Sequence, residues 1–249
     1  RVMDERVLKT DATAQKAAAS EAGFDFMSGH IDAQFAGSTA TSYMWKRAPK
    51  FFDIVTWSGT GGARTQTHNL GVAPEMIWVK GINIAENWAV YHKDVGATKY
   101  LQTNSENAEA TSSTRWNDTA PTSSVFSLGA DNEVNASSYF YIGWLWATLP
   151  GISKVGSYTG NGGTQNIECG FTSGARFVII KKASSQGGWK VHDTTNGIVA
   201  GNTPFIELNN TNAQNASFDL LDPYDGGFTV NNYADWNGNG ATFIFYAVA

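Results

Sequence analysis

The chain repeats itself at a spacing too long for a solenoid and right for a small domain. Trp57-Ser58-Gly59-Thr60-Gly61-Gly62 returns 101 residues later as Tyr158-Thr159-Gly160-Asn161-Gly162-Gly163. Ile77-Trp78-Val79-Lys80 returns as Val178-Ile179-Ile180-Lys181, and Trp88 with Val90 returns as Trp189 with Val191, at the same offset. Leu101-Gln102-Thr103-Asn104 matches Ile206-Glu207-Leu208-Asn209 after a short insertion, and residues 141–147 match 243–249. A partial third copy stands at the front. Leu8-Lys9-Thr10-Asp11 matches residues 101–104, and residues 43–49 match 144–150. The expected organisation is therefore residues 1–50 as the C-terminal half of a preceding unit, then full units over 51–151 and 152–249. The first fifty residues lack the front half of a unit, so further chain, or another chain, is expected to supply it. The joints fall at Pro49-Lys50 and Pro150-Gly151, where proline ends a strand-like aromatic run. They are short, so the units should pack closely.

Composition fixes the class of fold. Charged residues make up 16% of the chain, aromatics reach 13%, and there are 26 glycines. That mixture suits short strands joined by Gly/Asn turns, not helix bundles. Each unit of about a hundred residues holds seven or eight candidate strands. The expectation is all-β, with tandem antiparallel β-sandwich repeats of jelly-roll or lectin-like type. Residues 59–62 read as a hairpin turn after which 64–70 pair back, and 87–92 as a half-buried strand. Residues 139–147 are aromatic on both parities, which calls for cover on both faces. Residues 12–22 are Ala-rich and are the one credible helix.

Charge and cysteine usage narrow the partners. A net charge of −5 without a basic stripe excludes nucleic-acid binding. The single cysteine, Cys169, forms no disulfide within the chain and reads as a small buried residue. No apolar stretch approaches a membrane span, so no membrane insertion is expected.

Reactive chemistry is hard to find. The Gly-rich turns are not followed by Lys-Ser/Thr or a helix and make no phosphate cradle. His30, His68, His92 and His192 lack metal-pair spacing, and no metal or cofactor is expected. His92 and His192 read as strand-edge residues with a local hydrogen bond. Residues 131–135 lack the spaced ligands of a calcium loop and read as a solvated turn. Asp193 with Glu207, or Asp94 with Glu109, are the only carboxylate pairings to consider for hydrolysis. Neither recurs between units, so no enzyme is expected. Trp88, Trp189 and Trp116 read as core. Trp236 differs, because it lies in the polar loop 231–238 with Tyr233, Asp235 and Asn237. An exposed Trp beside short polar side chains is what sugar binding uses, so Trp236, Tyr233, Asp235 and Asn237 form the candidate ligand site.

Several runs carry a family likeness. They are Phe51-Phe52-Asp53-Ile54-Val55-Thr56-Trp57-Ser58-Gly59, the stretch 68–80 with Pro74-Glu75-Met76-Ile77-Trp78-Val79-Lys80, and Asn87-Trp88-Ala89-Val90-Tyr91-His92. Residues 116–122, 156–162 and 169–177 belong with them. Together they resemble a repeated domain of unknown function found in tail-fibre-like proteins of marine and other bacteriophages. The resemblance implies a virion tail appendage assembled in the host cytoplasm, a homo-oligomer (commonly a trimer), and other virion tail proteins as partners. It implies no catalytic residues. Three tasks follow: adhesion to host-surface polysaccharide through weak multivalent aromatic sites, a purely structural fibre or connector, or a polysaccharide depolymerase.

Overall fold

A computed structural model of the chain describes residues 6–15, 17–18 and 43–249. Its first elements are β1 (Arg6–Val7) and β2 (Ala17–Ala18), which pair antiparallel. This corrects the helix expected over 12–22: residues 12–15 have no regular structure, Ala17–Ala18 is strand, and the other five positions lie outside the described residues, as does His30. Alanine propensity alone does not hold so short a helix in water.

A first set of elements follows: β3 (Phe52–Ser58), β4 (Arg64–Thr67), β5 (Met76–Gly81), β6 (Ala89–His92), β7 (Lys99–Gln102), β8 (Ala110–Thr111), α1 (Ser113–Trp116), β9 (Val125–Leu128), α2 (Asn132–Asn135) and β10 (Phe140–Trp146). The second set is β11 (Ser153–Thr159), β12 (Gln165–Glu168), β13 (Phe177–Lys182), β14 (Trp189–Asp193), β15 (Ile206–Glu207), β16 (Leu221–Tyr224), β17 (Gly227–Val230), α3 (Ala234–Asn237) and β18 (Thr242–Val248). The fold is all-β. One large sheet has the order β3-β10-β5-β6-β7-β8 and the other β11-β18-β13-β14-β15. Two small sheets, β4-β9 and β12-β17-β16, complete the layers. Every pairing between these strands is antiparallel.

The strands read as continuous apolar runs because both faces of each large sheet are covered. On β5, Met76 and Trp78 face one core while Ile77 and Val79 face another. On β18, Ile244 and Tyr246 alternate in the same way with Phe243, Phe245 and Ala247. The period of two is intact, but neither parity is polar. The outer faces pack against the small sheets: Phe126 and Leu128 of β9 on one, Phe228 and Val230 of β17 on the other. The inner faces meet in one shared core, where Trp78 lies edge-on to Trp189 and Trp146 tilts against Tyr246. Strand β6, expected to be half-buried, is buried at all four positions for this reason.

The glycine-rich turns are corners between layers. Strand β4 does not pair back on β3 as expected; it crosses to the small sheet and pairs with β9. The crossing needs glycine, because a Cβ on Gly59 would lie 2.0 Å from the Ala136 carbonyl oxygen and Gly61 has φ +73. Asn135 then holds the corner, its Nδ2 donating to the Gly62 carbonyl at 2.6 Å and its Oδ1 accepting from Thr60 N at 3.0 Å. Asn237 does the same one set later, donating to Gly163 O at 2.6 Å and accepting from Asn161 N at 3.0 Å. Residues 131–135 are therefore not a solvated turn. They form the one-turn α2, with Glu133, Val134 and Asn135 buried.

Candidate functional site

None of the nine tryptophans is exposed. Seven are buried, and Trp45 and Trp144 pack half-buried against the central core. Trp236, expected as an open platform, is only 6% exposed. α3 points its indole inward, where its N–H donates to His192 Nε2 at 2.9 Å. Phe205 lies edge-on at 5.0 Å, and the Lys190 ammonium sits 4.5 Å above the ring. With the ring packed against Phe205 and Lys190 and almost none of it exposed, the expected open stacking surface for a sugar is absent. Asn237 is fully buried in its corner. Of the four candidate residues, Tyr233 (37% exposed) and the Asp235 side chain (55%) remain accessible.

His92 and His192 are also not edge residues; both are buried in central strands. An indole N–H only donates, so His192 Nε2 accepts and Nδ1 carries the proton. Burial pushes the His192 pKa down to about 3 and that of His92 to about 4, so both rings are neutral at pH 7.

What is left of the site is a groove of about 360 Å³ beside α3. Lys190 forms its floor, Phe218 and Tyr233 meet edge-on at its rim, and Glu207 and Asp235 contribute carboxylates. The Lys190 side chain is 3% exposed and lies 4.0 Å from Asp235 Oδ2, with Lys182 at 3.9 Å from Oδ1. Burial lowers the Lys190 pKa, while Asp235 and Glu207 oppose the shift. A polar ring could rest on the Phe218–Tyr233 rim with an anionic or hydroxyl group toward Lys190.

Three of the four carboxylates considered for hydrolysis have structural partners. Asp193 accepts from the Tyr43 hydroxyl at 2.6 Å and from Asn196, Glu109 pairs with Lys99, and Asn210 donates to Glu207. Among the described residues no three His, Cys, Asp or Glu groups gather to hold a metal. Cys169 is buried, which pushes its thiol up to about 12 and keeps it protonated and inert.

The most specific polar contacts lie elsewhere, and residue types alone did not point to them. Trp88 Nε1 donates to the Lys9 carbonyl at 2.8 Å, and Trp189 Nε1 donates to the Gln102 carbonyl at 2.8 Å. Lys80 Nζ donates to Thr13 O at 2.9 Å and Glu86 O at 2.6 Å; Lys181 Nζ donates to Glu106 O at 3.0 Å and Gly187 O at 2.5 Å. Burial lowers both lysine pKa values to about 8. The sequence signal was a lysine at the end of an apolar strand with a tryptophan eight residues on, at Lys80 with Trp88 and at Lys181 with Trp189.

No helix among the described residues is long and apolar enough to cross a membrane. No curated protein and no solved structure matches the chain. A sequence profile for a domain of unknown function, DUF7483, matches residues 32–249, and the chain therefore belongs to that family.

Proposed function

We propose that this chain is a structural segment of a virion tail appendage, built from copies of one module that lock onto each other. The virion setting rests on the sequence resemblance to tail-fibre-like proteins. The structural task rests on one observation: the aromatic and cationic side chains that would make a binding surface are spent on joining sheets. Trp88, Trp189, Lys80 and Lys181 all cross from one part of the chain to another, and every tryptophan lies in or against a core. Interlocked sheets with short joints suit a rigid shaft or connector, alongside other tail proteins and further copies of the chain.

Immunogold labelling with antibody to the purified chain tests this. Label on the tail appendages of particles is expected; label confined to particle-free lysate overturns the virion setting.

The Phe218–Tyr233 rim above Lys190 favours a second reading, weak adhesion to a host-surface polysaccharide. Retention on a panel of bacterial surface polysaccharides measures it. Saturable retention that Tyr233→Ala removes without moving the melting temperature would put adhesion first. No retention leaves the structural task alone.

A further inference from the structure

The start of the chain touches both large sheets. Lys9 and Thr13 take the Trp88 and Lys80 hydrogen bonds of the first sheet. Tyr43 and Trp45 pack edge-on against Phe177 of the second, at 4.8 and 5.2 Å between ring centres, and the Tyr43 hydroxyl reaches Asp193. The two large sheets meet each other in the central core. Three parties with three mutual contacts make a closed triangle; in a linear stack the first would not reach the third. Thr103 Oγ1 donates to Thr10 O at 3.2 Å. These two residues hold the same place in successive copies of the Leu-x-Thr run, and like meets like only near a rotation axis.

Two corners of the triangle carry the same latch. A lysine and a tryptophan eight residues apart seat on carbonyls four residues apart, Lys9 with Thr13 and then Gln102 with Glu106. The counterparts at the third corner are Glu207 and Thr211. Leu208 N donates to Trp189 O, which makes Lys190–Glu207 a pair without ladder bonds, so the Glu207 carbonyl points outward from the sheet edge. Burial differs accordingly. Leu101 and Thr103 are buried, whereas their counterparts Ile206 and Leu208 are half-exposed. At the same corner, residues 43–47 form no strand, whereas their counterparts in β10 and β18 are flanked on both sides.

We propose that the edge at β15, from Ile206 to Thr211, is a docking site for one further copy of the module's front half, the strands corresponding to β3–β6. Its tryptophan indole seats on the Glu207 carbonyl, its lysine ammonium on the Thr211 carbonyl, and its strands flank residues 43–47. The occupant is one more copy of those strands, carrying the same lysine and tryptophan. This rests on the structural reading above, but particle labelling and the measurements below fail independently.

A copy of residues 51–93 is fused directly ahead of Arg1, and amide hydrogen exchange is followed at 206–212. Exchange should slow about tenfold or more, as expected for an edge newly held in a core. The same extension with its Lys80 and Trp88 counterparts changed to Ala should give no protection. Unchanged exchange with the intact extension, or equal protection by the altered one, overturns the proposal. A second measurement needs no extension. In the chain as it is, Leu208→Lys should shift the unfolding midpoint by less than about half of what Leu101→Lys does, because only Leu101 is covered. Equal losses would mean that the edge is already occupied, and the docking site would be withdrawn.

Discussion

The two halves of the molecule share a strand order and fill the space under their one-turn helices with different chemistry. Beneath α2, Arg115 donates to Glu133 at 2.9 Å and lies 3.4 Å over the Tyr100 ring, while Asn87 and Gln102 also donate to Glu133. Asn231 N bonds Leu220 O as Gly129 N bonds Arg115 O, so Leu220 stands in the arginine's place and Leu221 in that of Trp116. Without the arginine, Asp235 turns outward, and the cation comes instead from Lys190 on the sheet. Volume is exchanged in the same way. Trp116 lies edge-on to Tyr91 in the first half; in the second, His192 takes the tyrosine's place and Trp236 comes from α3 to meet it. One backbone tolerates both solutions because each fills the space with a large edge-on ring pair, Trp116 with Tyr91 or Trp236 with His192. The groove beside α3 is the remainder of that exchange, open where Arg115 closes its counterpart.

What the halves hold in common is the latch, and breaking it should have the largest effect. Trp88→Ala and Trp189→Ala should each cost about 3–5 kcal/mol in chemical denaturation, from the emptied volume and a stranded carbonyl. The two losses should agree within about 1 kcal/mol if the latches are equivalent, given the usual spread between sites. A much smaller loss at Trp88 would show that residues 8–13 are not held as residues 101–106 are.

The carboxylates under the helices should differ by as much as the latches agree. Glu133→Ala takes the nearer carboxylate from a buried guanidinium, leaves it only Asp131 at 3.5 Å, and should cost about 3 kcal/mol. Asp235→Ala removes an exposed carboxylate from contacts of about 4 Å and should cost less than about 1 kcal/mol. The same denaturation series decides it, and similar losses would end the contrast between a filled and an open groove.

Acid should weaken both halves through their histidines. His192 and His92 have folded pKa values pushed down from 6.5 to about 3 and about 4. Below pH 6.5 the unfolded chain takes up protons that the folded chain refuses, so this stability is complete above pH 6.5. It is lost as pH falls, at about 1.4 kcal/mol per pH unit for each ring. Unfolding midpoints between pH 6.5 and 4.5 measure the slope. His192→Gln keeps an acceptor for Trp236 and should remove that ring's own share of the slope, about 1.4 kcal/mol per pH unit. An unchanged slope would place the titration elsewhere.

Much of this architecture was legible because repeated glycines and apolar runs report backbone geometry. That the chain turns at Gly59 and Gly160, the cores at Trp88, Trp116 and Trp189, and the covered faces of β10 all follow from residue type and period, whereas the glycine turns are corners between layers and not the hairpins expected. Partner choice was not legible. Nothing in Arg64-Thr65-Gln66-Thr67 says that it pairs with β9 rather than β3, since alternation fixes a strand's faces and not its neighbour. Trp236 misled for a related reason. Its flanking Asn and Asp residues looked like a solvated loop, but Asn237 spends its amide on a glycine corner while residues 232–235 face water. A polar neighbourhood in sequence became a buried indole once one helical turn rotated it inward.

The joints offer the smallest test and the cleanest one. Lys50 and Gly151 hold the same place in two turns, each closed by a bridge, Ala48 to Phe52 and Leu149 to Ser153. Both are left-handed, with φ 62 at Lys50 and φ 74 at Gly151. A Cβ in that conformation crowds the following carbonyl at a cost of about 1 kcal/mol, which glycine avoids. Lys50 N is bonded to Leu70 O at 2.7 Å, and glycine keeps that bond. Lys50→Gly should therefore raise stability by up to about 1 kcal/mol, partly offset by glycine's greater freedom in the unfolded chain. Gly151→Ala meets no atom within 4 Å, so its loss of about 1 kcal/mol would be backbone strain alone. Opposite signs in the two unfolding midpoints would show that both joints need the same geometry and that only one has the residue suited to it. A loss in both would mean that the Lys50 side chain makes a contact that outweighs its strain.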